Sequence, residues 1–95
     1  MQTKQIHEIQ FPHKYSAYLR SGMNKYKQIK CKTSDGADGR CAIGVILSEQ
    51  GWDGKSEAWT WGMNNARILH QIIDYNDKWG FSYFDIVMCL EVKGY

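Results

Sequence analysis

The chain has 95 residues, 43% of them apolar and 23% charged, which is enough for one hydrophobic core and argues against a disordered chain. Its longest apolar run, Cys41 to Leu47, is too short to cross a bilayer, and the polar N-terminus lacks the apolar centre of a signal peptide. The expectation is a single compact domain over residues 1–95, cytoplasmic and without a membrane span. The net charge of +2 is unevenly spread: residues 1–32 carry seven basic side chains against Glu8, whereas residues 33–95 carry five basic against nine acidic. The charge predicts a dipolar molecule, basic at its N-terminal third.

Taken in order, Ile6, Ile9 and Phe11 suit a short strand or an anchored arm. Pro12 fits the first turn of a helix that runs on to a glycine stop at Gly22, with Tyr15, Tyr18 and Leu19 as its inward stripe. Ile29, Cys31 and Thr33 alternate with Lys30 and Lys32, the period of a half-exposed strand within Tyr26 to Thr33. Ser34 to Gly39 is turn chemistry throughout, and Asp38 is placed to cap the next helix, CAIGVILSEQ. That helix is apolar on nearly every side and should be the most buried one. Gly44 within it is unfavourable to helix by about 1 kcal/mol relative to alanine, which implies a second backbone packed close by. Gly51 ends it, and Trp59 and Trp61 alternate around Thr60 in a connection that could add a second strand.

The C-terminal third specifies its own shape most firmly. Ile68, Leu69, Ile72, Ile73 and Asn76 recur at helical spacing, Asn64 or Asn65 can cap the start, and Gly80 can end the helix in the left-handed conformation. Ser82 reads as the N-cap of a second helix, with Asp85 three residues on. Asn76 falls on the apolar stripe, so its amide should be buried and tied to neighbouring backbone. The fold class is therefore α+β, mostly helical, with about four helices and a small two- or three-stranded antiparallel sheet.

Three cysteines cannot all pair within one chain, and reduced thiols are expected. Cys31, Cys41 and Cys89 with His7, His13 and His70 show none of the close spacings of a zinc site, and Asp35 and Asp38 lack the calcium-loop pattern, so no metal or cofactor is expected. Cys41 near a helix start, with His70 and Asp77, is the best available catalytic set; the alternative is a packed thiol and a structural Asn-Asp pair. No phosphate loop or nucleophile triad accompanies it, which favours a non-enzymatic protein.

Two surfaces are candidates for binding. One is basic and aromatic, with Lys14, Arg20, Lys25, Tyr26, Lys27 and Lys30, residue types that contact phosphates and stack on bases. The other is the tryptophan stretch Trp52, Trp59 and Trp61, either a lid on the core or an interface anchor.

A DGADGR turn, CAIG opening a buried helix, and YNDKWGFSYFDIV near the C-terminus occur in that order. Across roughly residues 26–91 the chain resembles a family of small bacterial and bacteriophage proteins with a Cys-Ala-x-Gly helix and a C-terminal Asn-Asp…Gly helical hairpin. The family carries no assigned reaction. The resemblance implies a phage-type accessory protein in the bacterial cytoplasm that binds a host protein or protein–nucleic-acid complex, with an anti-CRISPR-like inhibitor of host defence as its specific form. The alternatives are direct nucleic-acid binding through the basic third, and a small enzyme or metabolite-binding protein.

Overall fold

A computed structural model describes residues 14–56 and 66–95. Among them the elements are α1 (Tyr15–Gly22), β1 (Lys27–Gln28), β2 (Gly39–Arg40), α2 (Ala42–Glu49), α3 (Ala66–Ile73), a π-helical turn (Asp74–Lys78) and α4 (Tyr83–Val92). The α+β class and the helical content agree with the sequence reading. The Cα radius of gyration, 12.3 Å, is that of a compact chain of this length, about 12 Å.

The core is built around α2. Every residue from Ala42 to Leu47 is buried, as its all-round apolarity requires, and α1, α3 and α4 supply Leu19, Ile68, Ile72, Ile86, Val87 and Leu90 to the same cluster. Gly44 has the close neighbour its position implied: a Cβ there would overlap the Thr33 carbonyl oxygen. Gly22 acts differently from the expected stop. It closes α1 without a left-handed turn, and its lack of a side chain lets α2 approach, since a Cβ would lie 2.6 Å from Val45 Cγ1. The first turn of α1 is joined to the C-terminus, where the Ser16 N–H donates to the Tyr95 carbonyl at 3.1 Å.

The sheet corrects two expectations. Its strands are parallel, with Lys27 opposite Gly39 and Gln28 opposite Arg40, not antiparallel. The strand foreseen over Tyr26 to Thr33 is regular only at Lys27–Gln28. The reason is a double reversal. Cys31 takes φ 65°, which turns the chain back, and Ser34 then forms an antiparallel bridge with Arg40. The Asp35 carboxylate reverses the chain again by accepting the N–H groups of Ala37 and Gly39 at 2.9 and 3.0 Å. Two reversals restore the original direction, so β2 runs parallel to β1. The proposed strand at Trp59 to Trp61 lies outside the described residues, as do Ile6, Ile9, Phe11, Pro12 and the cap candidates Asn64 and Asn65.

The C-terminal hairpin forms as its caps dictate. Gly80 adopts φ 70°, and Ser82 Oγ accepts the Asp85 N–H at 3.2 Å. Tyr75 stacks on Phe81 with ring centroids 5.5 Å apart, closing the bend. What the periodicity did not contain is the π-helical turn at Asp74–Lys78, where the Trp79 N–H reaches back five residues to the Asp74 carbonyl at 2.8 Å.

Candidate binding surface

Asn76 organises the polar interior. It is fully buried on the π-helical turn, and all of its hydrogen-bonding capacity is used. Its Nδ2 donates to the Ile29 carbonyl at 2.8 Å and to Asp77 Oδ1 at 2.7 Å. Its Oδ1 accepts from Gln28 Nε2 at 2.9 Å and from the Ala42 N–H at 3.1 Å. The last bond makes Asn76 the cap of α2, supplied from a distant element. Asp38, the expected cap, is exposed, and its carbonyl instead accepts the Lys27 N–H at 2.9 Å across the sheet. Gln28 extends the same junction, donating to the Phe81 carbonyl at 2.7 Å and accepting the Tyr83 N–H at 3.2 Å.

A second polar knot surrounds Arg40, a buried cation missed by the sequence reading. Its guanidinium donates to Ser48 Oγ at 2.9 Å, to Ser34 Oγ at 3.0 Å and to the Ala37 and Gly39 carbonyls at 2.6 and 2.9 Å. The rings of Tyr26 and Trp52 lie 4.9 and 5.7 Å from its central carbon. Trp52 is therefore a core residue that covers Arg40, its indole N–H donating to the Ser56 carbonyl at 3.0 Å. Tyr26 is half-buried in the same contact, so neither ring is displayed for stacking.

The catalytic set does not have the properties of a reactive thiol. Cys41 is buried, and burial is the main cause that pushes its thiol up; the Ile43 and Gly44 N–H groups oppose this and the Asp77 charge adds to it. Asp77 Oδ1 is engaged by the Cys31 N–H at 3.0 Å as well as by Asn76. His70 is exposed on α3. Among the described residues no group of three His, Cys, Asp or Glu side chains could hold a metal ion, and no helix is long and apolar enough to cross a membrane.

The predicted basic surface is divided by ion pairing. Arg20 donates to Glu91 on α4 at 2.9 Å, and Lys25 to Glu49 at the end of α2 at 3.1 Å. Lys14, Lys27 and Lys30 remain exposed, and none of the three is in an ion pair among the described residues. Trp59 and Trp61 lie outside those residues.

What the fold adds is a new neighbour for Lys30. The Cys31–Asp77 hydrogen bond holds the Lys30–Lys32 turn against the bend of the hairpin, and Lys30 Nζ lies 3.4 Å from where a Cβ on Gly80 would be. Beside Gly80, Trp79 is 62% exposed, with Lys78 Nζ 5.9 Å from its ring centroid. An exposed indole with Lys78 at its ring and Lys30 against the following residue, Gly80, is a surface suited to an acidic or base-bearing partner. Helical spacing places Trp79 on the inward stripe with Ile72 and Asn76, which is why the sequence concealed it. The wider π-helical turn that precedes it carries it outward. No protein-family model, curated protein or solved structure matches the chain.

Proposed function

We propose that this chain is a non-enzymatic, phage-type accessory protein that binds a host protein through the surface formed by Trp79, Lys78 and Lys30. The observation that carries this reading is the exposed Trp79. Its ring stands 62% exposed, and tryptophan is among the residues most enriched where a few side chains dominate interface energy. The lysines around it favour a partner with an acidic patch. Inhibition of a host defence system is the specific activity in keeping with the resemblance of residues 26–91 to small phage proteins. The buried, high-pKa thiol of Cys41 supports the non-enzymatic reading.

The test is a quantitative comparison of proteins recovered from a bacterial host on wild-type protein, Trp79→Ala and Lys30→Glu/Lys78→Glu. One protein recovered by the wild type and lost from both variants, with thermal unfolding unchanged, is the expected result. Identical recovery by all three would remove Trp79 and its lysines as the binding surface.

A second reading, direct binding of single-stranded nucleic acid, draws on the same geometry, because an exposed indole beside lysines stacks on a base while the cations meet phosphates. Binding of a fluorescent oligonucleotide that weakens steeply with salt would select it. Affinity that does not change with salt dismisses it.

A further inference from the structure

The last helix is apolar on two opposite faces. Tyr83, Ile86, Val87 and Leu90 enter the core, whereas Phe84, Met88 and Val92 follow one another at four-residue steps on the outside and are 51%, 44% and 85% exposed. Four-residue steps form a continuous ridge on a helix, the kind that packs into the groove of another helix. Three apolar side chains contiguous along one exposed row form the kind of patch that marks an interaction surface.

The row beside the ridge identifies the occupant. Asp85, Cys89 and Lys93 repeat the same spacing, one residue on from Phe84, Met88 and Val92. Among the described residues neither Asp85 nor Lys93 is in an ion pair, whereas on the ridge's other edge Glu91 is already neutralised by Arg20 at 2.9 Å. The Asp-Cys-Lys row is complementary to itself when reversed. Laid antiparallel on a second copy about Cys89, Asp85 of each copy faces Lys93 of the other, and the two Cys89 residues meet at the axis. A two-fold interface demands this self-complementarity, because one patch must serve both sides.

We infer that the outer face of α4 is the interface of a symmetric, antiparallel dimer with a second copy of this chain. The Phe84–Met88–Val92 ridges interdigitate at its centre, and two Asp85–Lys93 pairs set its register. This dimer surface shares no residue with the one around Trp79 and does not depend on it.

Sedimentation equilibrium is expected to give twice the 11.0 kDa chain mass. Asp85→Lys places lysine against Lys93 of the second copy, twice, and should raise the dimer Kd about tenfold; Lys93→Asp should do the same with carboxylates. The double swap Asp85→Lys/Lys93→Asp restores both pairs and should restore the wild-type Kd. Both charged positions are exposed, but Asp85 lies in the first turn of α4 and Lys93 at its end, where each reversed charge opposes the helix dipole, so near-ultraviolet circular dichroism of each variant checks that the fold is kept. Met88→Glu should yield a monomer. Cys89 residues that meet at the two-fold axis lie within reach of a short bismaleimide, which should link Cys89 to Cys89 in a Cys31→Ser background. A wild-type mass of one chain at every soluble concentration would overturn the inference. So would a double swap that dissociates as readily as either single swap.

Discussion

Replacing Asn76 by alanine tests the central structural claim, that one buried amide joins α2, the sheet and the hairpin. The substitution removes four hydrogen bonds, but their losses are unequal. Gln28 Nε2 retains the Phe81 carbonyl and Asp77 Oδ1 retains the Cys31 N–H. The Ala42 N–H and the Ile29 carbonyl lose the side chain that satisfies them in the interior. Each buried group left without a partner costs about 1–3 kcal/mol, so the two together predict a loss of about 2–6 kcal/mol. For a domain with about 5–15 kcal/mol in total this is severe, equivalent to a fall in Tm of at least about 10 °C. Urea denaturation followed by circular dichroism measures it directly. Asp77→Asn serves as the control, because the amide oxygen can still accept from the Cys31 N–H; its expected cost is below about 1 kcal/mol. If Asn76→Ala also lost less than about 1 kcal/mol, the junction would not be what holds α2 to the hairpin.

Other consequences follow from single contacts. Gly44→Ala should destabilise by about 2–4 kcal/mol in urea despite alanine's better helix propensity, because its methyl group meets backbone at Thr33 and not a movable side chain; a stabilised variant would contradict the close approach. Arg40→Lys keeps the charge but not the fork that reaches Ser48, Ser34 and two carbonyls, and should lower stability by about 2–3 kcal/mol in the same assay. Arg20→Ala should cost under about 1 kcal/mol, since the Arg20–Glu91 pair is about half exposed and screened by solvent. Burial raises the Cys41 thiol above its reference value of 9.0 and the Tyr83 phenol above 10.0. The unfolded chain therefore loses these protons first as pH climbs, so stability is full below about pH 9 and declines above it. Unfolding midpoints measured from pH 7 upward should fall, and Cys41→Ala should lessen the fall at its lower-pH end. With a thiol reagent at neutral pH, Cys31 should label rapidly and Cys41 only on unfolding.

Local chemistry made much of the fold legible. The ends of the hairpin at Gly80 and Ser82, the burial of Asn76, the inward face of α3 and the central place of α2 all rest on neighbours within a turn or two of helix. Gly44 was legible for a different reason: a glycine inside an otherwise apolar helix signals a contact that admits no side chain. The candidate surface was much less legible. Lysines and tryptophans could be counted, but counting does not distinguish Trp52, which covers Arg40 in the core, from Trp79, which stands in solvent. Nor does it show that Arg20 and Lys25 would find Glu91 and Glu49 on other elements.

The sequence by itself thus determined the helices, the caps at the hairpin bend and the apolar stripes, because these depend on periodicity and on hydrogen bonds between residues a few positions apart. Only the tertiary structure decided the direction of the sheet, the capping of α2 by Asn76 and the outward turn of Trp79. The sheet required two successive reversals, at Cys31 and Asp35, whose combined effect is invisible to a strand pattern. The cap comes from a side chain 34 residues away. The exposure of Trp79 follows from a π-helical turn that shifts the helical register just where Asn76 is held by the sheet.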